Sequence, residues 1–249
     1  MPLQFWGVLM TAAGLRAIFF DAGNTLVYPR VEALAADLTA QGYPATAEDF
    51  YAAERAGKHQ LDEWLWPQIR QRVVPRTIDH YYWGEYLKAL VEKVGVPEPE
   101  RLRMMERVAA GFRDITCWSK VLPETPPFLE KLRAQGYFLG VISNSIGTME
   151  AQLNRVGLAR HFDTVLDSAI VGVEKPHPEI FQIALRRVPP GGIQPAETLF
   201  VGDTNATDMG GAQLAGLRGV LIDRVGAYPR ATCPRITLLP ELEQVLNSL

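Results

Sequence analysis

The stretch Arg16-Ala-Ile-Phe-Phe20-Asp21-Ala-Gly-Asn-Thr25-Leu26 decides the fold. Four apolar residues follow one another without a polar break and stop at an acid. The run is too short for a helix, and unbroken apolarity marks a strand buried on both faces of a parallel sheet. Comparable runs follow at Tyr137-Phe-Leu-Gly-Val-Ile142, Thr198-Leu-Phe-Val201 and Arg218-Gly-Val-Leu-Ile222, with a weaker one at Thr164-Val-Leu166. Helical stretches at residues 126–135, 148–156, 178–188 and 208–215 separate the later runs. Such alternation predicts right-handed crossovers and a doubly wound sheet.

Between the first run and the second the pattern changes. Helical periodicity covers residues 31–41, 47–64, 78–94 and 98–112, with breaks expected at 42–44, 67, 75 and 95–99. The chain therefore reads as an α/β protein. A mainly parallel, Rossmann-like core of residues 1–28 and 121–249 is interrupted by an all-helical cap of residues 29–120.

Composition narrows the function classes. The 249 residues carry 25 Lys+Arg against 28 Asp+Glu, and 47% are hydrophobic. A net charge of -3 without a basic block argues against a nucleic-acid partner, and the apolar content argues against extended disorder. Cys117 and Cys233 make neither a disulfide framework nor a four-ligand zinc site, and His59, His80, His161 and His177 show no close ligand pairing. Residues 1–15 are uncharged but lack a basic start and the roughly 20 apolar residues of a spanning helix, so no membrane partner is expected. Residues 1–9 read as an extension. A cytoplasmic location is the expectation, as a monomer or a homodimer.

Three of the apolar runs end in polar groups: Phe20 in Asp21, Ile142 in Ser143-Asn144, and Val201-Gly202 in Asp203. Open parallel sheets bind ligands outside the carboxyl ends of their strands, so neighbouring strands would bring these groups into one crevice. A single strand-end Asp is ordinarily a turn former. Three such ends together point to a site.

The spacing resembles the haloacid dehalogenase-like (HAD) hydrolase superfamily. Asp21-Ala-Gly-Asn-Thr25 is similar to its first motif and Val141-Ile-Ser143-Asn144 to its second. Lys175-Pro-His-Pro is similar to the third, and Gly202-Asp203-Thr-Asn-Ala-Thr-Asp208 to the fourth. The insertion also falls where the family's cap-bearing branch carries its cap. The resemblance implies a Mg²⁺-dependent hydrolase acting on a small phosphorylated metabolite. Asp21 would be a nucleophile that is transiently phosphorylated. Asp21, the Gly23 carbonyl and Asp203 would offer hard oxygens to Mg²⁺, with Asp208 beside the ion or one step removed. Lys175 and Ser143 would steady the transferred group. Asn24, Thr25 and Asn144 are candidates for substrate contact. Asn144 equally suits capping the next helix, Asp208 suits an N-cap, and Thr25 suits bracing its loop.

One position departs from the family. Its phosphatases carry a second Asp two residues after the nucleophile, which protonates the leaving alcohol and then activates the water that hydrolyses the aspartyl-phosphate; here that residue is Gly23. A positioned acid–base contributes about 10²–10⁴-fold. Substrates whose leaving group needs no proton, such as aryl or acyl phosphates, escape that loss. Gly23→Asp would return the acid if the loop has room. Glu63, Asp79, His80 and Glu85 of the insertion are substitute candidates, each more ordinarily a surface or core residue. Dehalogenases of the family also lack the second Asp, but they work without metal and without an acidic fourth motif. Phosphonate-cleaving relatives use a cap lysine as an imine former; Lys58 is the candidate, though a lone helical lysine is ordinarily solvated. A binding or regulatory protein without turnover is the remaining alternative. Trp64, Trp66, Tyr81, Tyr82, Trp83 and Tyr86 read mostly as cap core, with some over the phosphate site. Arg70, Arg72 and Arg76 read as a solvated edge or an anion grip, and Trp118 as part of the hinge.

Overall fold

The computed structural model describes residues 14–78, 81–188 and 192–248. The expectations for residues 1–9, Asp79 and His80 lie outside them. Six strands form one sheet: β1 (Ala17–Phe20), β4 (Phe138–Ser143), β5 (Thr164–Asp167), β6 (Thr198–Gly202), β7 (Arg218–Ile222) and β8 (Arg235–Ile236). Their order is β5-β4-β1-β6-β7-β8, and every pairing is parallel. Connecting helices α5 (Thr125–Ala134), α6 (Met149–Arg155), α7 (Ser168–Val171), α8 (Pro178–Arg186), α9 (Gly211–Leu214) and α10 (Leu242–Ser248) complete the α/β arrangement.

The sheet's two faces carry two apolar cores. Ile18, Phe20, Leu139 and Val141 point into one, and Ala17, Phe19, Ile142 and Phe200 into the other. Every residue of β1 is buried, which is why its sequence shows no alternation.

After β1 the chain forms a short ribbon, β2 (Tyr28–Pro29) pairing antiparallel with β3 (Trp118–Lys120). Among the described residues four helices lie between them: α1 (Val31–Ala40), α2 (Ala47–Arg70), α3 (Tyr81–Lys93) and α4 (Glu98–Arg113). They bury an apolar cluster of their own around Leu38, Phe50, Leu90 and Val108. At the start of α2 the Thr46 amide and hydroxyl both donate to the Asp49 carboxylate, at 2.9 and 2.7 Å.

Two expectations are corrected. Pro67 does not end α2, which runs on to Arg70. A proline removes one intrahelical bond, but Leu65 and Ile69 on either side of it are buried with Leu61, Ile78 and the core residue Ala206, and that packing holds the last turn. The helix expected at 208–215 begins earlier, as a wide π-type turn over Asn205–Gly210 before α9.

Phe19 of β1 pairs with Gly140 of β4. Its buried ring fills the space a side chain at 140 would take, leaving a β-carbon there 2.3 Å from Phe19 Cε1. Gly140→Ala is expected to overpack this face by about 1–3 kcal/mol. Thermal unfolding should show the loss as a drop of several degrees, with an unchanged midpoint counting against the packing account.

Candidate active site

β1 lies between β4 and β6, so the ends of these three strands are neighbours. The Asp21 amide, just past β1, donates to the Val201 carbonyl at 2.8 Å. Asp21, Ser143 and Asp203 consequently line one cavity of about 680 Å³ together with Gly23, Asn24, Asn144, Lys175 and Asp208. Two further strand-end acids are taken up otherwise. Asp167 accepts from the amides of Gly147, Met149 and Ala169, and Asp223 from those of Ala227 and Tyr228. These two are the ordinary turn-forming acids, unlike Asp21 and Asp203.

Lys175 joins the site across the sheet. Its Nζ donates to Asp21 Oδ1 at 2.5 Å and to Asp208 Oδ1 at 2.7 Å. The loop bearing it is clamped by Asn144, whose Nδ2 donates to the Lys175 carbonyl while its Oδ1 accepts from the Lys175 amide. Asn144 thus aims a lysine and caps no helix. Asp208 is equally occupied: its Oδ2 accepts from the amide and hydroxyl of Thr204, at 2.9 and 2.7 Å. Asp208 is therefore not an N-cap. Its carboxylate lies against Gly202, where a β-carbon would stand 2.4 Å from Oδ2. Thr25 is fully buried, but among the described residues its hydroxyl finds no hydrogen-bond partner, so the brace expected of it is not made there through that group. The loop is held by its backbone instead, the amides of Leu26 and Val27 donating to the Ala22 carbonyl.

The solvated reading of Lys58 is overturned. Its side chain is 1% exposed, and Nζ stands 2.9 Å from Asp203 Oδ2 and 2.7 Å from Glu54 Oε1. The cause is the docking of α2 on the loop after β6. Glu54, Lys58 and Asp62 recur every four residues, so they share one face of the helix. Asp62 accepts from Asn205 Nδ2 and the Ala206 amide, at 2.8 and 2.9 Å. The i, i+4 charge stripe was the available signal, but nothing local says which face docks.

Among the described residues, four carboxylates (Asp21, Asp203, Asp208, Glu54) are buried here with two ammonium groups, Lys58 and Lys175, so formal negative charge exceeds positive by two. Burial, only partly countered by Lys175, pushes the Asp21 carboxyl up to about 7, with Asp208 and Asp203 adding to the rise. Burial likewise pushes Asp203 up to about 6 against the pull of Lys58. Burial would lower the two lysines, but the carboxylates beside them prevail and raise both. The arrangement calls for more positive charge.

Asp21, Asp203 and the Gly23 carbonyl are hard oxygen donors of the kind Mg²⁺ prefers, and an excess of buried carboxylate fits such an ion. As the side chains stand, however, the lysines occupy the acids. Among the described residues no three His, Cys, Asp or Glu side chains are grouped to hold a metal.

Trp118 stands where the absent acid would extend. A β-carbon on Gly23 would lie 3.1 Å from Trp118 Cζ3. The indole is fixed by Nε1 donating to the Phe112 carbonyl at 2.9 Å and packs against Trp83 and Phe112. The rest of the cavity wall is largely apolar, with Leu61, Tyr82, Trp83, Leu87 and Phe112 contributed by the inserted helices and Ile78 by the connection between α2 and α3. Tyr86 is buried among Trp83 and Phe112, while Trp64 stacks on Tyr81 in a separate cluster with Trp66. Glu63 and Glu85 do not line the cavity, nor do Arg70, Arg72 and Arg76. Arg76 pairs with Glu179 at the surface.

The family model described as haloacid dehalogenase-like hydrolase matches residues 15–216. Phosphoserine phosphatase of Thermus thermophilus is 33% identical over 198 residues, spanning 79% of this chain and 68% of that protein. (S)-2-haloacid dehalogenase 4A of Burkholderia cepacia is 30% identical over 220 residues, 86% of each. The putative HAD-hydrolase YfnB of Bacillus subtilis superposes with a TM-score of 0.62 at 22% identity, covering 94% of this chain and 99% of that one.

An acid with a raised folded pKa lends stability that is full below its unfolded value and fades as pH rises through the folded one. For Asp21 that window runs from 3.8 to about 7. In metal-free buffer, Asp21→Asn should therefore melt above the wild type at pH 8, and the advantage should shrink toward pH 5. Each ~1 kcal/mol is worth about 2–4 °C at this size. A difference independent of pH would contradict the charge excess.

Proposed function

This chain belongs to the haloacid dehalogenase-like hydrolase family, and from that premise we propose that it is a Mg²⁺-dependent phosphatase of a small phosphorylated metabolite whose leaving group departs without being protonated. Residues 29–120 serve as its cap, over a core of residues 1–28 and 121–249. The observation that carries the reading is the Asp21–Lys175–Asp208 bridge at the floor of a large cavity. One oxygen of Asp21 is held by Lys175, which leaves the other free to attack.

The reaction runs in two displacements. Asp21 forms a bond to phosphorus as the bond from phosphorus to the leaving oxygen breaks, and that oxygen departs with the electron pair. Water then attacks the phosphorus of the aspartyl-phosphate, the bond between phosphorus and the Asp21 oxygen breaks with its electron pair returning to the carboxylate, and the water's protons leave on the released phosphate. Lys175 neutralises charge on Asp21 and the transferred group, and Ser143 at the end of β4 offers a hydroxyl to a phosphoryl oxygen. Asn144 and Asp208 hold Lys175 in place. Asp21, Asp203 and the Gly23 carbonyl would hold Mg²⁺, which when bound supplies the positive charge this site lacks. Asn24, whose φ of 55° turns the loop, lines the cavity beside them.

The phosphatase relative in Thermus supports this reading, and the dehalogenase relative in Burkholderia makes halide displacement the competitor. The charge excess favours the first. A haloacid would bring a further negative charge into a site already rich in carboxylate, with no cation accompanying it. The imine reading of Lys58 is disfavoured as well, because two carboxylates hold that side chain as an ammonium and imine formation needs the free amine. The apolar wall and the indole over Gly23 favour an aryl or acyl leaving group.

Hydrolysis of p-nitrophenyl phosphate and acetyl phosphate should require Mg²⁺ and fall by more than ~10³-fold in Asp21→Asn. Alkyl phosphates should turn over roughly 10²–10⁴-fold more slowly. Equal kcat/KM across leaving groups would contradict the missing acid, since that ratio reports the step in which the leaving group departs, and 2-chloropropionate turnover without metal would establish the competitor. Gly23→Asp alone should leave alkyl phosphate turnover low, because the indole stands against the new side chain. Combining it with Trp118→Ala should raise that turnover, and a gain from the single change would contradict the steric account.

A further inference from the structure

α2 reaches the fourth motif with a cation of its own. Lys58 Nζ is 2.9 Å from Asp203 Oδ2 and fully buried, and Glu54 one turn earlier holds the same ammonium at 2.7 Å. The same helix face fastens to the adjoining loop through Asp62, which accepts from Asn205 and Ala206. His59 and Arg55 reach the next loop, at the carbonyls of Ala227 and Val225. Lys58 is thus a positive charge carried by a helix outside the sheet, seated on an acid assigned above to the metal. An ammonium and a divalent ion on one carboxylate repel each other, and in a buried site that repulsion is little screened.

We propose that Lys58 is a tethered counterion for Asp203 that competes with the divalent cation, so that metal entry requires Lys58 to leave Asp203. Glu54 keeps the displaced ammonium paired on its own helix. The proposal rests on the reading of Asp203 as a metal ligand and adds that the inserted helices set the affinity for the ion. It makes α2 the element through which a bound cation is felt away from the sheet.

The test is Mn²⁺ binding to the full chain, without substrate, followed by the electron paramagnetic resonance signal of free Mn²⁺. Lys58→Gln and Lys58→Met should each bind Mn²⁺ at least tenfold more tightly than the wild type. Arg55→Gln removes a positive charge from the same helix away from Asp203 and should change the affinity less than twofold. Unchanged or weaker binding in both Lys58 variants overturns the proposal, as does an equal gain in Arg55→Gln. Failure of every form to bind Mn²⁺ removes the metal-ligand reading itself, and this proposal with it. A second measurement uses only the wild type: acetylation of Lys58, read by peptide mass spectrometry, should be slow without metal and several-fold faster with saturating Mg²⁺. An unchanged rate overturns the proposal even if the variants do not fold.

Discussion

The site depends on one buried ammonium group. Lys175 Nζ bridges Asp21, at the end of β1, to Asp208, beyond β6, and both acids are almost wholly withdrawn from water. Charges in such surroundings persist only when paired and hydrogen-bonded. Much of the neighbouring structure serves that bridge: Asn144 clamps the Lys175 backbone, Thr204 binds the far oxygen of Asp208, and Gly202 leaves room for that carboxylate. Yet the pairing is incomplete. Two lysines face four carboxylates, and the balance is left for a ligand to settle.

The sheet side of this arrangement was legible in the sequence because its physics is local. β1, β4 and β6 are buried on both faces, so their apolar runs are unbroken, and their polar ends fall where a parallel sheet places ligands. Asp21, Ser143 and Asp203 could be brought together on that ground. Asp167 and Asp223 show the limit of the argument. Each also follows an apolar run, and only the amides that fold back onto them reveal a structural role.

The helical side was less legible. Lys58, Asp62 and Trp118 owe their positions to the way α2 and the β2–β3 ribbon meet the strand ends, a long-range packing that no periodicity encodes. The four-residue spacing of Glu54, Lys58 and Asp62 marks a polar helix face, but polar faces are ordinarily solvated. Gly23 was conspicuous as a missing carboxylate. That an indole fills the vacated space, held by the Phe112 carbonyl, could be known only from the fold. Pro67 misled for a related reason: burial of Leu65 and Ile69 outweighed a local helix breaker.

Sheet and inserted helices thus share a single electrostatic problem, with Lys175 answering it from one side and Lys58 from the other. On the proposed reading the arrangement acts through Asp21, which lines the cavity. The most direct test is acid-quenched mass spectrometry of the protein during turnover of acetyl phosphate with Mg²⁺. The account predicts the mass of one phosphoryl group on the peptide containing Asp21, absent from Asp21→Asn. Turnover with no adduct on that peptide, or with an adduct on another residue, would contradict it.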